Sequence, residues 1–314
     1  MPPMKRTYGI GIICILLGVS VGFNIITVLR QKTGADSPLP VATQKYPFLA
    51  SFINDFPKQD RLINFLPLRL DLEQLIATES PTTGIYFEYM PTGISIGINE
   101  KQPFLYASLL KVPVVMAVYN AENEGKISLS DTLTITEDMM DKNYGDLWKQ
   151  GVGSKITVKD AISKSLRESD NTAFNLLKYA IPPEELVRVF DFLDIPIQAQ
   201  NNEAVVTPQN YVSIFRSLIY SSYLPPEDSN EILDILHTST FTDGITAVLP
   251  KTIPVAHKMG INHDQSYVSD CGVIYHPTRP YFLCVMDNDS TTDKAEALMR
   301  QISGKIYTYL STTN

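Results

Sequence analysis

Strand-like segments lie near both ends of this 314-residue chain, and helical patterns fill the region between them. Toward the N-terminal side, residues 84–90 and 94–98 flank Pro91-Thr92-Gly93, which predicts a β-hairpin. Toward the C-terminal side, apolar runs of strand type return at residues 255–259, 267–275 and 281–286. We therefore predict an α/β domain whose sheet is completed by both chain ends, with a helical insert at about residues 126–206.

Apolar residues at helical spacing predict helices at residues 62–78, 109–124, 161–180 and 291–310. Thr157 and Asp160 form a capping pattern ahead of the third of these helices. Thr207 predicts the cap of a further helix, with Pro208 in its first turn, where a missing N–H costs little.

A run of 23 residues without a charge, residues 7–29, precedes the folded region. At about 1.5 Å per residue, a helix of this length spans a hydrocarbon core of about 30 Å. No small-residue cleavage pattern closes the run, so we predict an uncleaved membrane anchor over residues 1–30, with a cleaved signal peptide or a buried helix as alternatives. Two basic residues flank the run on each side, so the positive-inside rule does not orient it.

Residues 31–55 contain three prolines among small and polar side chains. This composition predicts an extended linker. The folded domain is accordingly expected to cover residues 56–314.

Composition limits the partners of this chain. A formal net charge of −8 and a pI near 5.1 do not suit a phosphate-neutralising surface, so we expect no nucleic acid partner. The four histidines lack the spacing of a zinc site, and we expect no metal or other cofactor.

The chain has three cysteines. Cys14 lies in the uncharged run, and we expect Cys271 and Cys284 to be two small buried thiols, with a single bridge between them as the alternative. The sequence leaves the oligomeric state open.

Three short motifs follow one another: Ser108-Leu109-Leu110-Lys111, Ser169-Asp170-Asn171 and Lys258-Met259-Gly260. Each motif alone is a weak signal, because a chain of this size contains about one S-x-x-K by chance. Together, in this order, on a helix, in a helical insert and on a late strand, they predict one active site.

The first motif suits nucleophilic catalysis. Residues three apart on a helix share a face, so Ser108 and Lys111 meet if Ser108 lies in the first turn. A serine hydroxyl is a weak nucleophile until a neighbouring base takes its proton. Lys111 can be that base only if burial or a nearby cation lowers its pKa, and Lys258 is the candidate for that cation.

The other two motifs supply the remaining groups. Ser169 would relay a proton to the leaving nitrogen, Asn171 would hold the substrate's amide, and Lys258 would attract a substrate carboxylate. Gly260 would let a substrate approach the strand edge closely. The backbone N–H groups of Ser108 and Ile261 would form an oxyanion hole.

With these residues the chain resembles the serine β-lactamase and penicillin-binding superfamily, most closely the class A β-lactamase catalytic domain. The resemblance covers roughly residues 62–310. The stretch Tyr106-Ala107-Ser108-Leu109-Leu110-Lys111-Val112-Pro113 and the pair His257-Lys258 are typical of it, and Asp270-Cys271-Gly272-Val273-Ile274 resembles the strand that follows. Tyr144, 36 residues after Ser108, resembles the tyrosine that lies beside the class A pocket.

The resemblance implies an antiparallel five-stranded sheet flanked by helices, with an inserted all-helical subdomain. It implies an acyl-serine hydrolase that acts on β-lactams or on D-alanyl peptides of peptidoglycan. Because members of this superfamily act outside the cytoplasmic membrane, it also implies a single-pass protein whose catalytic domain faces the extracytoplasmic side.

Two departures from the family pattern bear on activity. Met259 stands where the family has threonine, which removes a hydroxyl that helps to bind the substrate carboxylate. The family's E-x-x-L-N loop, whose glutamate activates the deacylating water, has no match before Thr207-Pro208, and Glu203 lies too near Thr207 to be that glutamate. We therefore expect slow deacylation. The alternatives are a D-Ala-D-Ala peptidase, a β-lactamase that uses an unconventional water, and a β-lactam sensor without turnover or a cell-wall binding module.

Overall fold

The computed structural model describes residues 46–49, 62–262, 266–288 and 290–313. The predicted anchor or signal peptide, residues 1–30, lies outside these ranges. Within them, no helix combines the length and the apolar character needed to cross a bilayer.

The described residues form eight α-helices and ten strands, joined in places by short 3-10 helices. In chain order these elements are α1 (Leu66–Glu79), β1 (Gly84–Tyr89), β2 (Ile94–Ile98), β3 (Phe104–Leu105), a 3-10 helix (Ala107–Leu110), α2 (Lys111–Asn123), β4 (Thr132–Thr134), two 3-10 helices (Glu137–Met139 and Leu147–Gln150), β5 (Lys155–Thr157), α3 (Val158–Arg167), α4 (Asn171–Ala180), α5 (Pro183–Phe192), β6 (Gln198–Gln200), β7 (Glu203–Val206), α6 (Pro208–Ile219), α7 (Pro226–His237), β8 (Val255–Asn262), β9 (Tyr267–Ile274), β10 (Tyr281–Asn288) and α8 (Thr292–Thr312).

A five-stranded antiparallel sheet joins the two ends of the chain, which confirms the predicted fold class. Its strand order is β2-β1-β10-β9-β8. β1 pairs with β10, with Gly84 opposite Met286 and Tyr89 opposite Tyr281. The sequence-distant halves therefore meet in the middle of the sheet, and β8 is left as an edge strand.

Helices cover both faces of this sheet. On one face, Leu72 of α1 and Ile302 of α8 pack with Leu283 and Val285 of β10. On the other face, Phe215 of α6 belongs to a larger core that continues into the helical layer. Both faces of β9 and β10 are buried, which is why these strands read as nearly continuous apolar runs. Each fully buried Leu or Phe side chain contributes about 1.5–3 kcal/mol.

The inserted region is mainly helical, but the expectation that it is all helical is wrong. β4 pairs with β5, and β6 and β7 form a second hairpin that pairs with β3. The single helix predicted over residues 161–180 is two helices, α3 and α4, because Ser169 between them has a φ of +56°. Apolar periodicity does not register a one-residue break of this kind, since both helices keep their buried faces.

The two predicted threonine caps are confirmed. The Thr157 side chain accepts a hydrogen bond from the Asp160 N–H at 3.1 Å, and the Thr207 side chain accepts one from the Asn210 N–H at 3.1 Å. Such caps typically stabilise a helix by about 1 kcal/mol.

Residues 46–49, assigned above to the linker, are packed against the domain. The Phe48 N–H donates to the Asn230 side chain at 3.2 Å, and the Tyr275 hydroxyl donates to the Phe48 carbonyl at 3.1 Å. Leu49 is buried. Contacts with the domain therefore reach into the segment that its prolines predicted to be a linker.

The expectation of two free thiols is also wrong, because Cys271 and Cys284 form a disulfide. They lie directly opposite each other on the neighbouring strands β9 and β10. The spacing of 13 residues does not reveal this contact, since the strand register decides which residues face one another.

Candidate active site

Ser108 lies in the 3-10 helix that leads directly into α2, so Ser108 and Lys111 occupy consecutive turns as predicted. Pro113 has no N–H, which leaves the carbonyl of Leu109 without its helical partner. The Tyr211 hydroxyl of α6 donates to this carbonyl at 2.9 Å instead. A tertiary hydrogen bond therefore holds the turn that presents Ser108.

The ammonium nitrogen of Lys111 lies at the centre of the site. It is 2.8 Å from the Ser108 hydroxyl, 2.7 Å from the Asn171 Oδ1 and 3.2 Å from the Ser169 hydroxyl. Lys111 is only 2% exposed, and burial lowers its pKa to about 7, against the opposing attraction of Asp170 and Asp141. A lysine with this pKa is neutral in a large fraction of molecules near pH 7, and its lone pair can then accept the serine proton.

Lys258 reaches the same cluster from β8. Its Nζ donates to the Ser169 hydroxyl at 3.0 Å and to the Met259 carbonyl at 2.9 Å. Burial, followed by repulsion from Lys111, lowers the pKa of Lys258 well below its ordinary value. The Ser169 oxygen thus lies between two amines, 3.2 Å from Lys111 and 3.0 Å from Lys258.

Asp170 joins the second motif to the Tyr144 loop. Its Oδ2 accepts from the N–H groups of Asp146 and Leu147, both at 2.8 Å, and its Oδ1 accepts from the Ala173 N–H at 2.8 Å. Gly145 has a φ of +82°, and a Cβ there would lie 2.1 Å from the Asp170 carboxylate. The buried aspartate therefore requires glycine at this position and fixes the backbone beside Tyr144.

Tyr144 is linked to the Ser108 cluster through two contacts. Its carbonyl accepts from the Asn171 N–H at 3.1 Å, and its ring packs on Phe241 at 6.4 Å between centroids. The Phe241 ring lies 5.3 Å from the Lys258 Nζ. The sequence analysis missed Phe241, which belongs to no motif. It included Asp170 in the second motif but did not foresee its contacts with the backbone beside Tyr144.

The two faces of β8 have different neighbours. The Lys258 side chain points to the catalytic cluster, whereas Met259 is 2% exposed and packs in the core against α8. Met259 therefore presents no polar group to the cleft. A Cβ on Gly260 would lie 3.3 Å from both Leu109 and the Tyr106 carbonyl, so the glycine lets β8 pack closely on the Ser108 turn.

Backbone groups of β8 line the edge of the sheet. The carbonyls of Val255 and Met259 leave the sheet there, toward His237 and Lys258 respectively. Because backbone direction alternates along a strand, the Ile261 N–H points to this same edge. Ile261 thus offers its N–H on the side where the Ser108 turn lies.

The hairpin β6–β7 occupies the segment just before Thr207-Pro208, where the resemblance leads one to expect the family's glutamate loop. Its turn residues, Asn201 and Asn202, have φ values of +51° and +67°, as a two-residue hairpin requires. Leu105 pairs with Val205, and the Tyr106 N–H donates to the Ala204 carbonyl at 3.1 Å. Continued by one residue, this register places Glu203 opposite Ala107. Asp191 and Asp194, two other carboxylates in the region before Thr207 that do not fit the family's motif, are exposed at the end of α5 and beyond it.

A buried histidine, His257, directly precedes Lys258 on β8. His257, on the opposite face of β8 from Lys258, shares a 2.7 Å hydrogen bond between its Nδ1 and the Asp270 Oδ1. The described residues hold no group of three His, Cys, Asp or Glu side chains that could bind a metal ion. The arrangement at Ser108 brings a serine hydroxyl, two buried amines and a second hydroxyl into hydrogen-bond contact, which are the groups that a serine nucleophile with an amine base would need.

Comparison with known proteins agrees with this class of serine hydrolase. Residues 67–310 match the model of the β-lactamase enzyme family, so the chain belongs to that family. It is 23% identical over 268 residues to β-lactamase VEB-1 of Pseudomonas aeruginosa, covering 77% of this chain and 90% of the relative. It is 28% identical over 232 residues to a Bacillus licheniformis β-lactamase, covering 68% of this chain and 73% of that relative.

Solved structures show the same fold. PBP-A superposes with a TM-score of 0.73 and 24% identity over 82% of this chain and 99% of the other. A class A β-lactamase from Mycobacterium abscessus superposes with a TM-score of 0.71 and 22% identity over 78% of this chain and 99% of the other. A point mutant of PBP-A, which was solved as an acyl-enzyme complex with penicillin G, has a TM-score of 0.72 and 24% identity over 78% of this chain and 96% of the other.

Proposed function

We propose that this protein is a membrane-anchored acyl-serine hydrolase that reacts with β-lactams and D-alanyl peptides and deacylates slowly. The observation that carries the proposal is the 2.8 Å contact between the Ser108 hydroxyl and Lys111, whose pKa is lowered to about 7. A nucleophile and a base in contact, with the base near neutrality, are what acyl transfer from a serine requires.

In the proposed acylation step, neutral Lys111 takes the Ser108 proton while the Ser108 oxygen attacks the carbonyl carbon. The N–H groups of Ser108 and Ile261 stabilise the negative oxygen that forms. As the C–N bond breaks, Ser169 donates its proton to the leaving nitrogen and regains one from the lysine pair. Asn171 holds the substrate's amide. A substrate carboxylate beside Lys258 favours the charged form of this lysine and so opposes the lowering of its pKa, which lets the two groups pair.

Slow deacylation is proposed from the hairpin. Hydrolysis of the ester needs a water held next to a base, and the β6–β7 hairpin replaces the loop that would carry the family's glutamate. Met259, which is buried in the core, supplies no hydroxyl for the carboxylate of a β-lactam. Both features favour a peptidase or a slowly released β-lactam adduct over an efficient β-lactamase.

Mass spectrometry of the intact protein mixed with penicillin G tests this proposal. We expect a mass increase of one penicillin molecule, located on Ser108 and lasting far longer than one typical turnover. Rapid appearance of hydrolysed penicillin without an adduct would instead identify an efficient β-lactamase. The absence of both an adduct and a product would favour a binding protein without turnover.

The site of action is proposed to be extracytoplasmic, with residues 1–30 as the anchor. The Cys271–Cys284 disulfide supports this, because such bonds persist in oxidising compartments and are rare in the cytosol. We expect the full chain to stay with membranes after an alkaline wash and a chain without residues 1–30 to be released. Release of the full chain by the same wash would contradict the anchor.

A further inference from the structure

A phenyl ring from α4 lies over the amine of Lys111. The Lys111 Nζ is 5.3 Å from the centre of the Phe174 ring. Phe174 is half-buried, whereas Lys111 is only 2% exposed. The ring therefore belongs to the boundary between the buried amine and the surrounding solvent.

The first turn of α4 places this ring together with Asn171. Asn171 is the first residue of the helix and Phe174 comes three positions later, and residues three apart share one face of a helix. The Asp170 side chain caps this turn by accepting from the Ala173 N–H at 2.8 Å. The same turn therefore presents a polar amide and an apolar ring to one amine.

Neutral Lys111 can fill its hydrogen-bonding capacity without water. Its two N–H groups can donate to the Ser169 Oγ at 3.2 Å and to the Asn171 Oδ1 at 2.7 Å. Its lone pair can accept from the Ser108 hydroxyl at 2.8 Å. Loss of the ring would therefore cost the amine no hydrogen bond, but it would let water approach the nitrogen.

Within the described chain, the charged groups that act on Lys111 are Asp170, Asp141 and Lys258. The two carboxylates attract its positive charge without accepting a hydrogen bond from it, and Lys258 repels that charge. Burial outweighs both carboxylates and is the main reason why the pKa of Lys111 is low. The base therefore depends most on the exclusion of water.

The second buried amine of the cluster has a matching neighbour. The Lys258 Nζ lies 5.3 Å from the centre of the Phe241 ring. A ring face attracts a cation, which raises the pKa of a lysine, and it also keeps water away, which lowers that pKa. Because burial is the largest influence on Lys111, we expect the exclusion of water to prevail there.

We propose that Phe174 is a positioning residue that keeps water away from Lys111, so that this amine stays free to accept the Ser108 proton. This inference rests on the proposed function and adds a residue that lies outside the three motifs. Phe174 acts through Lys111 and does not itself need to touch the substrate.

The test is the pH dependence of acylation by penicillin G. The full chain is mixed with penicillin G between about pH 5.5 and pH 9, and adduct formation is followed by mass spectrometry. We expect Phe174→Ala to raise the midpoint of this pH profile by about one unit or more, because water then stabilises the charged amine. The midpoint does not depend on the fraction of active protein.

Three further variants separate the exclusion of water from other roles of the ring. Phe174→Leu keeps an apolar wall and should leave the midpoint within about 0.3 unit of the wild-type value. Phe174→Val opens less space than Phe174→Ala and should raise the midpoint by a smaller amount, which keeps the test available if the alanine variant does not fold. Phe192→Ala, at the exposed end of α5, is the control and should keep the wild-type midpoint.

Melting curves of all variants verify that they fold. A ring that served packing alone would lower the melting temperature when replaced but would leave the midpoint of the pH profile unchanged.

The outcomes separate this inference from the proposed function. An unshifted midpoint in Phe174→Ala and Phe174→Val overturns the inference while the acyl-serine chemistry stands. A downward shift in these variants also overturns it, because the attraction between the ring face and the ammonium group would then prevail. A shift in Phe174→Leu as large as that in Phe174→Ala overturns it as well, since an apolar wall would then not suffice. If the wild-type protein forms neither an adduct nor a product at any pH, the proposed function itself fails.

Discussion

Two regions border the Ser108 turn, and they differ in what they offer a reaction. On one side, Lys111, Ser169 and Lys258 are nearly inaccessible to water and are joined through hydrogen bonds of 3.2 Å or less. On the other side, the β6–β7 hairpin pairs with β3 through its backbone, and β6 is exposed throughout. The first region offers the buried amines and the hydroxyl that the proposed acylation needs, whereas the second supports the turn through backbone pairing.

The difference shows that a protein can hold more groups suited to acylation of its serine than to deacylation. Buried amines have a high desolvation cost and persist where a function uses their lowered pKa values. The β6–β7 hairpin packs beside the Ser108 turn through its pairing with β3, and its one carboxylate, Glu203, is only half-buried. The following predictions test this contrast, from the largest expected effect to the smallest.

Removing the base should have the largest effect. We expect Lys111→Ala to slow acylation by penicillin G about 10³–10⁴-fold, because the Ser108 proton loses its acceptor. The rate of adduct formation, followed by mass spectrometry, measures this. Lys178→Ala, on an exposed part of α4, is the matched control and should acylate at the wild-type rate. If Lys111→Ala were acylated at the wild-type rate, the buried amines would not distinguish their side of Ser108 from the hairpin side.

Removing the relay should have the next largest effect. We expect Ser169→Ala to slow acylation about 10²-fold, since the leaving nitrogen loses its proton donor while Lys111 remains. The same adduct measurement applies, with the exposed Ser130→Ala as the control. An unchanged rate for Ser169→Ala would show that the proton reaches the leaving nitrogen by another route.

The acylation rate should rise as Lys111 loses its proton. Its pKa is lowered to about 7, and only the neutral amine can accept a proton. The rate should therefore rise about tenfold from pH 6 to pH 8 and level off above that, because the neutral fraction is nearly complete there. A rate that falls over this range would mean that the protonated lysine is the active form.

The hairpin should contribute least. Glu203 is level with Ala107, and we expect Glu203→Gln to change the rate of adduct release by less than about threefold, which is under 1 kcal/mol of barrier. Glu184→Gln on α5 is the control, and the loss of the penicilloyl adduct over time is the measurement. If Glu203→Gln alone slowed release tenfold or more, Glu203 would be a deacylation base. Catalytic groups would then lie on both sides of Ser108.

Much of the fold was predictable because its signals are local. The hairpin at Pro91-Thr92-Gly93, the caps at Thr157 and Thr207, and the three late strands all follow from turn chemistry and apolar spacing. The break at Ser169 escaped, since one residue in a left-handed conformation leaves no trace in the periodicity around it. The strands within the insert escaped as well, because they are only three or four residues long.

The sequence by itself determined which residues can do chemistry: Ser108 and Lys111 are one helical turn apart, and that spacing alone brings them together. Only the tertiary structure decided that Ser169 and Lys258 complete the same cluster. Ser169 follows Lys111 by 58 residues and Lys258 follows it by 147. It also decided the Cys271–Cys284 bond, the Asp170 contacts behind Tyr144 and the Phe174 ring over Lys111. The physical reason is that contacts between distant segments depend on strand register and on how layers pack, and neither is encoded in the spacing of any single motif.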